Sequence, residues 1–154
     1  MGDKLSENIR PLTADDLDRV IEIDQEFTGR KRRGFFEKRL AAALAEPHAF
    51  LYVGCEQGGE LKGFVLARIL EGEFGQGERI AVLDGLAVDP NCMGKGMGRA
   101  LMLGLENVLR RKGIREIQTQ ADWTNFSLLR FLSYWGFGLA PRIVLERACR
   151  SDRV

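Results

Sequence analysis

Three glycines at alternate positions, Gly94, Gly96 and Gly98, mark the part of this sequence that is best suited to binding a charged ligand. Glycine allows sharp turns and places no Cβ between its own N–H group and a ligand. An apolar run of strand length precedes these glycines, and a stretch with the spacing of an amphipathic helix follows them. The start of a helix adds unpaired N–H groups and the positive end of the helix dipole. The spacing therefore predicts a phosphate-binding loop made of backbone amides.

Two common phosphate-binding motifs do not fit this loop. The dinucleotide motif G-x-G-x-x-G requires a third glycine at the position of Arg99. The P-loop motif G-x-x-x-x-G-K-[ST] requires Ser or Thr after its lysine, whereas Lys95 is followed by Gly96. The loop therefore differs from both of these nucleotide-binding classes.

A carboxylate in the preceding strand is the first candidate for proton transfer. Alternation from Ile80 onward predicts that Asp84 shares a face with the apolar residues Leu86 and Val88. Partial desolvation there would make the carboxylate a better base. The equal alternative is a strand-end carboxylate that is hydrogen-bonded to the backbone. Gly85, inside the strand, predicts a bulge that leaves a backbone N–H group free.

Composition argues against several classes of ligand. The three cysteines lie at no metal-ligand spacing, and His48 is the only histidine. Lys plus Arg number 23 and Asp plus Glu number 22, so the net charge gives no reason to expect a nucleic-acid or membrane partner. No run approaches the roughly 18 apolar residues of a membrane helix. We expect no bound metal, no nucleic acid, no membrane contact and a cytoplasmic location with reduced thiols.

The elements that would position these groups follow from hydrophobic periodicity. A length of 154 residues predicts one domain, 1–154, with fraying at 1–7 and 150–154. Helices are predicted after Thr13, before Pro47, between the glycine loop and Gly113, and from Asn125 to Trp135. Strands are predicted at 8–12, 49–56, 61–70, in the run that leads into the loop, at 114–121 and at 143–148. This order predicts an α/β fold with a mixed, largely antiparallel central sheet flanked by about four helices.

The stretch around the glycines resembles motif A of the GCN5-related N-acetyltransferases, the GNAT family. In that family a strand ends in a V-x-P-like turn, which the loop R/Q-x-x-G-x-G/A follows. Residues 88–90 (V-D-P) match the turn, and residues 93–98 match the loop in register. Met93 stands where the family has Arg or Gln, which removes a side-chain donor but leaves the backbone amides.

A second stretch resembles the same family, whose motif there is N-x-x-A-x-x-h-Y-x-x-x-G-F, with h for an apolar residue. Asn125, Gly136 and Phe137 occupy the corresponding positions. The tyrosine that many relatives use to protonate the departing thiolate falls on Leu132, which cannot donate a proton. Tyr134 is a candidate acid, but two residues turn it about 200° around the helix, and a structural role is the preferred interpretation. Water is the alternative proton donor.

The resemblance implies that acetyl-CoA is the co-substrate. Backbone amides of the loop would hold its pyrophosphate, the end of the preceding strand would lie beside its thioester, and Asn125 would contact its pantetheine arm. The residues that this resemblance assigns to the co-substrate are Leu86, Ala87, Val88, Met93, Gly94, Lys95, Gly96, Met97, Gly98, Arg99, Asn125 and Leu128. The implied activity is N-acetyl transfer by direct attack of an amine, with no covalent enzyme intermediate. Asp84 is the candidate base, and Asp122 and Glu73 are weaker candidates.

Three questions stay open at this level. The absent tyrosine also fits a module that binds or senses acyl-CoA with little or no transferase activity, and a protein-interaction domain is a weaker alternative. The acceptor has no signature in Phe27–Phe36 or Glu71–Glu78, the segments expected to shape its site. The basic run Arg30–Arg33 would fit an acidic acceptor or the CoA 3′-phosphate, although a solvated loop is the favoured interpretation. Family members often pair, so a homodimer through the last strand is a further expectation.

Overall fold

The computed structural model describes residues 8–71 and 78–150. The chain divides into two compact units, Met1–Thr119 and Gln120–Val154. The predicted fraying at the two termini falls, apart from Arg150, outside the described residues. The single domain over 1–154 stays a prediction.

The first unit contains a five-stranded sheet in the order β1-β2-β3-β4-β5. The first four strands are antiparallel neighbours, and β5 is parallel to β4. This arrangement confirms the predicted mixed, largely antiparallel sheet. The strands are β1 (Ile9–Pro11), β2 (Phe50–Gln57), β3 (Glu60–Leu70), β4 (Ile80–Val88) and β5 (Ile117–Gln118).

Three α-helices lie in the first unit and a fourth in the second. The first helical segment begins after Thr13, as predicted, and the N–H group of Thr13 donates to the carboxylate of Asp16 at 2.7 Å. The helices are α1 (Leu17–Thr28), α2 (Arg33–Ala45), α3 (Met97–Arg111) and, in the second unit, α4 (Phe126–Tyr134). Short 3₁₀ turns at Ala14–Asp16 and Pro90–Cys92 precede α1 and the glycine loop. The predicted α/β fold with four helices is confirmed.

The helices of the first unit cover both faces of the sheet. Phe64 of β3 packs edge-on against Phe36 of α2, with ring centroids 5.8 Å apart. Its neighbour Gly63 faces the other way, where an added Cβ would lie 3.1 Å from Leu101 of α3. Because successive strand residues point to opposite faces, α2 lies on one side of the sheet and α3 on the other.

Gly104, in the middle of α3, is explained by close packing. A Cβ added there would lie 2.8 Å from Cγ2 of Ile9 on β1, closer than two carbon atoms can approach. The glycine therefore lets α3 lie directly on the first strand.

Two strand predictions need correction. The fifth strand is shorter than the predicted 114–121, and the last strand, predicted at 143–148, is not formed. Ile143 is 83% exposed and Leu145 is 83% exposed. An apolar run of strand length becomes a strand only when its N–H and C=O groups find a ladder partner. No such partner is paired with this run in the described part of the chain.

Candidate functional site

The entrance to the glycine loop is fixed by Asp89, which is buried. One carboxylate oxygen accepts from the N–H group of Asn91 at 2.9 Å, and the other accepts from Arg19 of α1 at 2.7 Å. The backbone N–H group and then the guanidinium hold the pKa of Asp89 below its usual range. Arg19 also donates to the carbonyl of Leu61 at 2.8 Å, so α1, β3 and the loop entrance share one network.

The loop itself presents a run of unsatisfied backbone donors. Gly94 and Gly96 each have a φ of 79°, a conformation that other residues rarely adopt. The first helical bond of α3 joins the N–H group of Ala100 to the carbonyl of Gly96 at 3.0 Å. The N–H groups of residues 94–99 have no acceptor among the described residues. Such a run of amides at the start of a 15-residue helix is an anion-binding arrangement.

The loop is open on its outer side and anchored on its inner side. A Cβ added at Gly94 or at Gly98 would meet nothing within 4 Å, so a ligand can approach the backbone. Met93 is 59% exposed, whereas Met97 is 1% exposed. The side chain of Met97 packs beside Gly63, where an added Cβ would lie 3.3 Å from its sulfur atom. Met97 is one of the residues assigned to the co-substrate, and it can contact a ligand only through its backbone N–H group.

The end of β4 offers a second set of backbone groups. β5 pairs with β4 only at Ala81 and Val82, and Thr119 then donates to the carbonyl of Leu83 at 3.1 Å. Further along, the N–H group of Asp89 bonds to β3. Because successive residues of a strand alternate, the N–H and C=O groups of residues 86 and 88 point away from β3, toward the side of β5. They lie beyond the part of β4 that β5 pairs with.

The prediction that Asp84 shares a face with Leu86 and Val88 is wrong. Leu66 of β3 lies opposite Gly85, and the next residue, Ala67, lies opposite Leu83, so Asp84 is an extra residue in β4. This bulge inverts the alternation beyond it. Leu86 and Val88 therefore face α3, whereas the carboxylate of Asp84 contacts α2 on the other side. The signal for the bulge was Gly85, and the structure agrees with that interpretation.

Two arginines that sequence reasoning missed contact Asp84. Nη1 of Arg39 on α2 lies 3.3 Å from one carboxylate oxygen, and Nε of Arg68 on β3 lies 3.1 Å from the other. The side chain of Asp84 is only 10% exposed. Tyr52 of β2 adds a buried hydroxyl group without a hydrogen-bond partner among the described residues. Burial raises the pKa of Tyr52 to about 12, so this hydroxyl is protonated at neutral pH.

The second unit holds the remaining candidates. The side chain of Asn125 accepts from the N–H group of Leu128 at 3.3 Å and caps α4, as the helix prediction required. Tyr134 is 83% exposed and meets Trp135 edge-on, with ring centroids 5.6 Å apart. The contacts predicted for Asn125 and Leu128 with a co-substrate, and for Tyr134 as an acid, stay predictions.

Other kinds of site find no support in the described part of the chain. Residues 8–71 and 78–150 contain no cluster of three or more side chains that could hold a metal ion. Within the same ranges, no helix has the length and apolar character needed to cross a membrane. Glu73, a weaker candidate base, lies outside these ranges.

Comparison with known proteins gives one family and one fold. The model of the acetyltransferase (GNAT) family matches residues 17–137. A mycothiol acetyltransferase of Amycolatopsis mediterranei (strain U-32) is 35% identical over 85 residues, which are 53% of this chain and 28% of that protein. This chain therefore matches less than a third of that relative's length.

Solved structures with low sequence identity share the fold. AAC(6')-Iy in complex with a bisubstrate analogue, CoA-S-monomethyl-acetylneamine, has a TM-score of 0.76 at 17% identity, covering 92% of this chain and 97% of that one. The aminoglycoside antibiotic 6'-N-acetyltransferase AAC(6')-IG of Acinetobacter haemolyticus has a TM-score of 0.78 at 16% identity, covering 94% and 99%. At these identities the likeness concerns the fold alone.

Proposed function

The chain belongs to the acetyltransferase (GNAT) family, and on that premise we propose that it is an enzyme that transfers an acetyl group from acetyl-CoA to an amine. The observation that carries the proposal is the run of N–H groups at residues 94–99, which have no acceptor in the described part of the chain. These groups fit a pyrophosphate, which offers several oxygen acceptors in a short span. Gly94 and Gly98 leave space for it to approach.

The end of β4, beyond its pairing with β5, supports the proposed position of the acetyl group of acetyl-CoA. When bound, acetyl-CoA supplies a thioester carbonyl that an uncharged amine attacks, and the CoA thiol leaves. The peptide groups of residues 86 and 88 would hold the acetyl end, because their donors and acceptors lie beyond the paired part of β5. Positioning two reactants accounts for much of the acceleration in such reactions. Asn125 and Leu128 are proposed for the pantetheine arm.

Proton transfer is proposed to need little help from a dedicated acid. A thiol has a pKa near 8.5, so the thiolate is a tolerable leaving group at neutral pH. Leu132 occupies the position of the family's acid, and Tyr134 or water would take over that role. Asp84 is the sequence-based candidate for the proton acceptor, but both of its carboxylate oxygens are ion-paired, and we propose instead that it orients Arg39 and Arg68. The pH dependence of an Asp84 variant separates these roles.

One alternative has a specific observation in its favour. The missing acid at Leu132 also fits a module that binds acyl-CoA and senses it without turnover. Both functions require the glycine loop, so binding of acetyl-CoA does not distinguish them. A homodimer and a cytoplasmic location complete the proposal as expectations.

Release of free CoA is the test of the proposed activity. The purified protein is incubated with acetyl-CoA and a panel of primary amines, and the thiol that appears is measured against a sample without amine. Amine-dependent release supports the transferase. Binding of acetyl-CoA without release by any amine would favour the sensing module, and failure to bind acetyl-CoA would refute both.

A further inference from the structure

Asp84, Arg39 and Arg68 form a cluster with one more positive charge than negative charge. Each guanidinium makes one hydrogen bond to Asp84, and neither pairs with a second carboxylate among the described residues. A guanidinium carries five N–H donors, so Asp84 uses only a small part of this capacity. The side chain of Arg39 is 33% exposed and that of Arg68 is 36% exposed, so a ligand can reach both.

The other arginines near α2 are paired differently. Arg32 has the buried carboxylate of Asp24 to itself, at 2.6 Å. Arg33 contacts two carboxylates, Asp18 at 3.0 Å and Glu37 at 3.7 Å. Each of these cations is matched by at least one carboxylate, whereas two guanidiniums share Asp84. The shared carboxylate therefore distinguishes Arg39 and Arg68 from these two arginines.

The surroundings of the cluster suit a ligand with both polar and apolar parts. Phe50 of β2 lies directly opposite Arg68 on the neighbouring strand, and its ring is 6.0 Å from that of Tyr52. The buried hydroxyl of Tyr52 lacks a hydrogen-bond partner among the described residues. Tyr52 lies two residues after Phe50 on β2, so it points to the same face of the sheet as Arg68. A buried hydroxyl without a partner is unfavourable unless a ligand or water completes it.

We propose that Arg39 and Arg68 bind a carboxylate of the acceptor, which is therefore an amine that also carries an acid group. This inference rests on the proposed transferase function, because it concerns the same strand. Asp84 precedes Leu86 by two residues, a separation of roughly 7 Å along a strand. The amine and the carboxylate of an α-amino acid lie closer together than this, and a hydrogen bond of about 2.9 Å from a guanidinium to the carboxylate supplies the remaining distance. Asp84 acts as a positioning residue that orients both guanidiniums.

The same charge balance argues against a polycationic acceptor. Two guanidiniums would repel an aminoglycoside or a polyamine, and the single carboxylate of Asp84 is already paired twice. A carboxylate, in contrast, accepts paired N–H groups from arginine in a planar geometry. The acceptor class is thus predicted to differ from that named for AAC(6')-IG.

The test compares acceptors that differ only in the acid group. Phenylalanine and phenethylamine form one such pair, and β-alanine and ethylamine form another, with kanamycin as a polycationic probe. We expect CoA release with the amino acids to exceed release with the matched amines by about 10-fold or more in kcat/KM, as charged hydrogen bonds allow. Equal or faster release with phenethylamine, ethylamine or kanamycin would overturn the inference and leave the transferase intact.

Two variants of Arg68 and one control variant locate the effect. Arg68→Gln keeps Asp84 paired with Arg39, so the fold is retained, and KM for the amino acid should rise about 10-fold with kcat little changed. Arg111→Gln is the control, because Arg111 is an exposed arginine of α3, on the other side of the sheet, where it donates to the carbonyl of Asn107, and it should change neither value. Arg68→Lys should restore part of the affinity. An equal effect of Arg68→Gln on phenylalanine and phenethylamine would contradict the assignment.

A binding measurement keeps the two proposals separable. Calorimetric titration of the protein with phenylalanine, in the presence of CoA, measures the binding of the amino acid to Arg39 and Arg68 even when no acetyl group is transferred. Binding that Arg68→Gln weakens, without CoA release by any amine, would support the site and refute the transferase. No binding and no release with the amino acids would overturn the site.

Discussion

Replacement of Gly98 by leucine should strongly weaken the binding of acetyl-CoA without harm to the fold. Gly98 is the second residue of α3, its φ is not positive, and a Cβ built there meets nothing within 4 Å. Leucine favours a helix over glycine by up to about 0.7 kcal/mol, so stability should hold or rise. The added side chain would instead occupy the space from which a pyrophosphate reaches the amides of residues 94–99.

The magnitude follows from the hydrogen bonds to the pyrophosphate that the leucine side chain would block. A hydrogen bond to a charged group contributes about 1.5–3 kcal/mol, so blocking two amides weakens binding by about 3–6 kcal/mol. That range corresponds to roughly 10²-fold to 10⁴-fold in Kd. Calorimetric titration with acetyl-CoA measures the change, and thermal unfolding of the same samples reports the fold.

Gly34 offers a matched control for this variant. It is the second residue of α2, its φ is also not positive, and an added Cβ there likewise meets nothing within 4 Å. Gly34→Leu should therefore alter stability in the same direction and leave acetyl-CoA binding unchanged. A stable Gly98→Leu protein that binds acetyl-CoA as the wild type does would refute the assignment of the loop.

Three further predictions concern Asp89, Asp84 and Gly104. The lowered pKa of Asp89 means that its carboxylate stabilises the fold above the ordinary carboxyl pKa of about 3.9, and that this contribution is lost as the pH falls through the lowered value. Asp89→Asn should therefore lower the free energy of unfolding, measured by urea titration, by about 3 kcal/mol at neutral pH and by less in acid. An equal difference from wild type at all pH values would contradict the dependence on the charge of Asp89. Asp84→Asn should raise KM for an amino-acid acceptor about 10-fold and leave the pH profile of kcat intact. A loss of about 10²-fold or more in kcat, together with loss of the acidic limb of the pH profile, would show instead that Asp84 accepts a proton. Gly104→Ala should lower stability by about 1–3 kcal/mol because the new Cβ would meet Ile9, and Ile9→Ala should relieve the effect if that contact is the cause.

The glycine loop could be predicted from sequence because all its determinants are local. Alternate glycines, a preceding apolar run and a following amphipathic pattern lie within one short stretch, and each has a direct backbone consequence. The loop entrance was predictable for the same reason, since Asp89 and Pro90 set the turn next to it. The hydrogen bond from Arg19 to Asp89 could not be predicted from the sequence, because 70 residues separate the two side chains.

The side of the sheet that Asp84 faces could not be predicted from alternation alone. One extra residue in β4 inverts every position beyond it, and nothing before Gly85 signals the change. The partners of Asp84 were equally hidden, because Arg39 and Arg68 precede it by 45 and 16 residues. The prediction of a strand at 143–148 was wrong for another reason. Its apolar pattern indicates which side chains could be buried, but it does not provide a neighbouring strand for the backbone hydrogen bonds.

The burial of Met97 ties ligand affinity to the condition of the hydrophobic core. Its side chain lies against β3 beside Gly63, so the first turn of α3 is already ordered before any ligand arrives. The conformational entropy of that ordering is lost once, during folding, and not again at each binding event. Affinity for an anion at the loop therefore depends on a core that the anion never touches. Mild heating or denaturant that loosens this packing should weaken binding before the protein unfolds as a whole.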